Sequence, residues 1–198
     1  MKNTRERIVS ISFILFMQKS YKEVTIKEIV QKAGVSQGAF FHYFKNKEEL
    51  FQEIIDDFLS SIIGAFNSMS KDSLYQFYHD YADYFIRSFS IENDGEKESI
   101  LSLNFFAFCF EALKRFPSFR GKLLKAHQIE LNTWEDMIRL AKVNGEIKSP
   151  MKDKEIANIF IHISDGVGLR SIFMESSNED ARDILLTLWD SLYEDLKR

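Results

Sequence analysis

A single cysteine, Cys109, stands in this sequence. It cannot close an internal disulfide and has no second thiol with which to hold a metal, so the chain reads as intracellular. The four histidines, His42, His79, His127 and His162, are scattered without ligand spacing, so no metal site is expected. Apolar runs stop short of the roughly 20 residues that a membrane span needs. The run after the charged N-terminus is broken by Gln18, Lys19 and Ser20, which spoils a signal-peptide core. The expectation is a cytoplasmic protein with no membrane contact. A phosphate-binding GK[ST] loop is also missing, and Gly166 and Gly168 lack the third glycine and the strand of a dinucleotide loop. The adjacent acids Asp56 and Asp57 point to different sides of a helix, so they make no acid–base pair. Taken together these gaps argue against an enzyme and against a cofactor.

Breaks are few as well. Only two prolines, Pro117 and Pro150, and eight glycines punctuate 198 residues. Between them, apolar residues recur at helical spacing: Ile8, Ile11, Leu15 and Phe16 on one face, Leu50, Ile54, Phe58 and Ile62 on another. Leu74, Phe77, Tyr78, Tyr81, Phe85 and Ser88 mark a third face. Strict alternation over a strand length is hard to find, which predicts an all-α protein.

Charge is divided unevenly. Residues 1–50 carry nine Lys and Arg against five Glu, leaving 17 of the 26 basic residues and 25 of the 30 acidic ones for the rest. A basic head on an acidic body implies that the head alone meets a polyanion.

Capping residues cut the head into short helices. Thr4 is placed to cap a first helix ending near Lys19. Thr25 starts TIKEIVQKAG, with Glu28 three residues on as its capping-box partner. Gly34 follows where a left-handed residue ends a helix, Ser36 caps the next, and Asn46 opens a long fourth helix. Three helices within 50 residues, with a short glycine-containing turn between the second and third, match a helix-turn-helix.

That pattern accounts for the aromatic block Phe40-Phe41-His42-Tyr43-Phe44. The second helix of such a pair must expose its N-terminal end to the DNA major groove and anchor its other side. Phe40 and Phe44, four apart, share the inward face, while Gln37, Gly38, Phe41 and Tyr43 face outward.

The run TRERIVSISFILFMQKSYKEVTIKEIVQKAGVSQGAFFHYFKNKEELFQEII, residues 4–55, resembles the N-terminal DNA-binding domain of the TetR family of bacterial transcriptional regulators. The segment DGVGLR at 165–170 resembles the family's eighth helix more weakly. The resemblance implies a three-helix helix-turn-helix domain at 1–48 and a larger helical domain for ligand binding and dimerisation at 49–198. It implies phosphate contacts from Thr25, Lys27 and Lys47, and base or backbone contacts from Ser36, Gln37, Gly38 and Ala39, with Phe41, His42 and Tyr43 along the rim. Hydroxyls, helix-start amides and lysines suit phosphate oxygens. Gln37 carries the amide that pairs with adenine. Phe41 stands where the family usually has Tyr and Tyr43 where it usually has His, so the hydroxyl is displaced by two residues and Phe41 is left to touch a thymine methyl. Ser20 replaces a glycine in the turn after the first helix.

In the body, aromatic residues are dense. Such stripes form a core first; in this family they also enclose a cavity, so Tyr81, Phe85, Phe105, Phe108, Cys109, Trp134 and Phe160 are candidates for binding a small hydrophobic or aromatic ligand. Cys109, within FFAFCFEAL, equally suits a small buried hydrophobe. Near the C-terminus, IANIFIHISDGVGLRSIFM is apolar almost all round, and a last helix capped by Asn178 carries a stripe. Ile163, Val167, Ile184, Leu185, Leu188, Trp189 and Leu192 would there form a homodimer interface. The expected function is a homodimeric repressor of a palindromic double-stranded operator, released by an effector. The alternative is a DNA-binding protein, architectural or division-linked, with no effector.

Overall fold

The structure, a computed structural model, describes residues 3–88, 90–93, 96–99 and 103–198. Among them are nine helices and one short antiparallel hairpin. The chain packs as two compact units, Met1–Ser61 with Ser102–Leu123, and Ile62–Leu101 with Leu124–Arg198. No helix among the described residues is long and apolar enough to cross a membrane.

The first unit holds α1 (Thr4–Gln18), α2 (Ile26–Ala33), α3 (Gln37–Tyr43), the start of α4 (Lys47–Ser68), α6 (Leu103–Arg115) and the start of α7 (Pro117–Val143). Asn3, not Thr4, caps α1: its side chain accepts from the Glu6 amide while the Glu6 carboxylate accepts from Asn3, a reciprocal box that a threonine inside the first turn cannot make. The core of this unit is aromatic. The Phe51 ring meets both Phe16 and Phe108 edge to face at 4.9 Å, and Phe16 and Phe108 lie 6.4 Å apart. Edge-to-face contact of this kind adds to the burial of the rings.

The second unit contains the rest of α4 and α7 with α5 (Leu74–Ser88), the hairpin, α8 (Asp153–Met174) and α9 (Asn178–Leu196). The hairpin pairs β1 (Ser90–Asn93) with β2 (Glu96–Ser99) in the register Ser90 to Ser99. It adds to the helical fold an element that the sequence pattern does not predict, because SIEN and EKES have no apolar alternation. Helix α9 packs on α5 and α8. Trp134, Trp189, Tyr78, Phe77 and Phe160 are fully buried there. Trp189 donates its indole N–H to the Phe160 carbonyl at 3.1 Å. Ser177, rather than Asn178, caps α9 in a reciprocal box with Asp180.

Glu146, in the α7–α8 loop, ties three elements together. Its carboxylate accepts the Leu74 and Tyr75 amides at the start of α5, both at 3.0 Å, and the Tyr193 hydroxyl of α9 at 3.0 Å. Free amides at a helix start attract a carboxylate, and this one comes from far along the chain. Glu146→Ala leaves three donors without their acceptor. It should lower stability by about 1–3 kcal/mol, read as an earlier urea midpoint at unchanged slope; an unmoved midpoint would show that solvent replaces the carboxylate at no cost.

Candidate nucleic-acid interface

Local capping sets the geometry of the helix-turn-helix. Thr25 is the N-cap of α2, its hydroxyl accepting the Glu28 amide at 3.1 Å. Gly34 closes α2 in the left-handed region, with φ of 61°, and Val35 returns its amide to the Val30 carbonyl at 3.0 Å. Ser36 then caps α3, accepting from the Ala39 amide at 3.1 Å. From α1, Arg7 donates to the carbonyls of Ala33 and Gly34, satisfying the end of α2 and fixing the turn from outside. An ideal Cβ at Gly34 would sit 3.0 Å from the Arg7 guanidinium, so two constraints meet at this residue.

Helix α3 divides as its periodicity predicts. Phe40 and Phe44 are buried, whereas Phe41 and Tyr43 are 49% and 40% exposed. Gln37, Gly38 and His42 are exposed, Ala39 is half-buried, and the His42 and Tyr43 rings lie 4.8 Å apart. Thr25 and Lys27 are exposed at the start of α2. Gly38 has open space around its would-be Cβ, with only Ser36 Oγ at 3.8 Å. Its lack of a side chain therefore serves nothing inside the fold and leaves bare backbone at the exposed end of α3.

Lys47 is placed differently from the other candidates. Its ammonium turns inward and donates to the carbonyls of Tyr21 and Val24, each at 2.6 Å. It also lies 4.2 Å from the Tyr21 ring centre. Burial, and secondarily the charge of Arg115, hold its pKa below the ordinary lysine value. Two of its three protons are committed to the α1–α2 turn.

The seven ligand candidates do not converge on one place. Tyr81, Trp134 and Phe160 meet in the second unit, Trp134 stacking on Phe160 at 4.9 Å and lying 5.4 Å from Tyr81. Phe105, Phe108 and Cys109 belong to the first unit, where Phe105 meets Phe58 and Phe108 meets Phe51. Burial pushes the Cys109 thiol up to about 12, so it is no thiolate at neutral pH. The side chain of Phe85 lies outside the described residues. Glu130, one turn before Trp134 on α7, carries no sequence signal that sets it apart from the other acids of that helix. Its carboxylate accepts the Tyr81 hydroxyl at 2.7 Å, and burial raises its pKa. Trp134 Nε1 is buried without a partner.

The dimer candidates also divide. Leu185, Trp189 and Val167 are buried in the chain's own core, and Ile163 and Leu192 pack partly against it. Ile184 and Leu188 stay 48% and 45% exposed. With Ile163, Gly166, Val167 and Met174 they line a groove of about 510 Å³ along α8 and α9.

A short exposed helix behind a left-handed turn, braced by α1, defines a helix-turn-helix protein. Residues 8–54 match the family model described as bacterial regulatory proteins, tetR family. Among curated proteins, the chain is 36% identical over 88 residues to the transposon Tn10 TetC protein of Escherichia coli, covering 40% of this chain and 45% of that one. It is 28% identical over 65 residues to the HTH-type transcriptional repressor KstR2 of Mycolicibacterium smegmatis, covering 33% and 32%. The chain thus spans less than half the length of these relatives. In overall fold it is similar to the reduced form of E. coli NemR, with a TM-score of 0.72 over 96% of this chain and 97% of that one at 15% identity. Over residues 8–54 the chain thus carries a segment of the kind that the tetR family model describes, and its overall fold is like that of NemR.

Gly34→Ala should destabilise the protein by about 1–2 kcal/mol, the cost of forcing a side chain into the left-handed region. Gly34→Asn should lose less, since asparagine tolerates that conformation. Equal urea midpoints for wild type and Gly34→Ala would show that the turn relaxes to another backbone geometry.

Proposed function

We propose that the chain is a transcriptional repressor that binds a palindromic double-stranded DNA operator as a homodimer and is released by a small apolar or aromatic effector. The observation that carries this reading is the exposed face of α3. Gln37, Gly38, Phe41, His42 and Tyr43 are presented to solvent by a helix whose other face is locked into a core. Thr25 and Lys27, exposed at the start of α2, would meet phosphates, and Gln37 offers the two-pronged amide that recognises adenine. Two such heads related by two-fold symmetry read half-sites about 34–36 Å apart. The apolar groove on α8 and α9, with Ile184 and Leu188 exposed, supports pairing with a second copy.

Release by an effector needs unequal affinity for two states of the dimer. A 100-fold loss of operator affinity corresponds to about 2.7 kcal/mol of coupling. Helices α4 and α7 contribute residues to both units and are the chain segments through which such coupling would pass. In the second unit, the packed Tyr81 and Trp134 rings and the Glu130 carboxylate offer the apolar surface and the sparse polar groups that would suit such a ligand. A second reading, a DNA-binding protein with no small-molecule effector, is favoured by the fully buried Trp134, Phe160 and Trp189, whose rings pack against one another within that unit.

Selection of a random duplex pool on the full chain should enrich a palindrome; retention at background for all sequences would remove the DNA-binding reading. On the selected duplex, Lys27→Ala should weaken binding to every sequence and lower the salt slope by about one unit, whereas Gln37→Ala should relax preference at one base position. The paired change Ile184→Asp with Leu188→Asp should leave the fold intact, since both side chains are exposed, but give a monomer by sedimentation; a persistent dimer would place the interface elsewhere. Because both tryptophans lie in the second unit, their fluorescence during titration with apolar and aromatic compounds separates the two readings: a saturable change that also frees the operator supports an effector, and none across the panel supports a protein without one.

A further inference from the structure

Arg115 ends α6, 61 residues beyond the segment that matches the family model, yet its guanidinium lies 4.0 Å from the centre of the Tyr21 ring in the turn between α1 and α2. The Lys47 ammonium lies 4.2 Å from the same ring. Two cations brought to one aromatic side chain repel each other, and the electron-rich ring face is what makes the placement favourable. Arg115 is itself steered by Glu111, whose carboxylate accepts its Nε–H at 2.7 Å one turn earlier on α6.

What hangs on Tyr21 is the start of α2. The carbonyls of Tyr21 and Val24 are held together by Lys47, and Val24 is fully buried. The next residue is the N-cap Thr25, followed by exposed Lys27. The direction in which α2 presents these two side chains therefore follows the position of the turn. Close packing does not secure the turn on the α6 side, because a crevice of about 80 Å³ lies there, lined by Phe16, Lys19, Tyr21, Phe51, Phe108 and Glu111. That space holds about two waters and no drug-sized ligand. Beside it, Arg115 brings α6 into direct contact with the Tyr21 ring.

We infer that Arg115 is a positioning residue for operator binding: through the Tyr21 ring it sets the α1–α2 turn, and with it the phosphate-facing N-terminus of α2. This rests on the DNA-binding reading above.

The test is fluorescence anisotropy on the selected duplex with the full chain. Arg115→Ala and Tyr21→Leu should each weaken binding about tenfold, while Arg115→Lys and Tyr21→Phe, which keep a cation and a ring, should stay within about threefold of wild type. The salt slope of Arg115→Ala should equal that of wild type, because no phosphate contact is lost. Lys114→Ala, which removes the same charge from the exposed neighbouring position, should bind as wild type. Thermal melting of each variant checks the fold, and should Arg115→Ala fail to fold, the Tyr21→Phe and Tyr21→Leu pair decides. Wild-type affinity in Arg115→Ala, an equal loss in Lys114→Ala, or a salt slope lowered by about one unit overturns the inference while the DNA-binding reading stands. A wild-type chain that selects no sequence removes both.

Discussion

The burial of Phe40 and Phe44 is the contact on which the candidate interface depends. Helix α3 has seven residues, well below the roughly 12–15 at which an isolated helix holds in water. Its shape therefore comes from outside: two rings in the head's core, the Ser36 hydroxyl at one end and the Gly34 turn before it. Anchoring one face this firmly is what lets the other face carry Gln37, Gly38 and Phe41 exposed to solvent. A recognition surface needs such groups unspent, and the cost of ordering them is met by the aromatic core behind.

The same economy runs through the first unit. Arg7 and Lys47 are both cations of a basic head, yet each donates to backbone carbonyls within the fold. They close the ends of α2 from opposite directions along the chain, one at the Gly34 turn and one just before Thr25. Net positive charge in this region thus divides between exposed lysines such as Lys27 and an inward pair that closes the ends of α2. Counting lysines cannot distinguish them; following each ammonium to its acceptors does.

The head was legible because its signals are local. Thr25, Gly34 and Ser36 sit at fixed offsets, and each does in the structure what its chemistry suggests. The first and last helices show the limit of such signals: where two capping residues stand side by side, as Asn3 with Thr4 and Ser177 with Asn178, the reciprocal box chooses the earlier one in both cases. Long-range relations were not legible. Apolar periodicity marks Leu185 and Trp189 as it marks Ile184 and Leu188, although the first pair faces the chain's own core and the second faces solvent. Aromatic density likewise groups Phe108 with Trp134, while packing assigns them to different units. Nothing in the sequence near Lys47 shows that Tyr21 and Val24 will claim its protons.

The discontinuity of the first unit has a consequence for how this chain can be recombined with others. Its head is completed by α6, supplied from residues 102–123, so it is no detachable module ending with the matched segment. A chimera that grafts residues 1–61 onto a foreign body would carry Phe16, Tyr21 and Phe51 to meet an α6 shaped for other side chains. Exchange of the proposed operator preference would require the graft to be made at two places at once, taking α6 along with the head, or to be confined to the solvent-facing positions of α3.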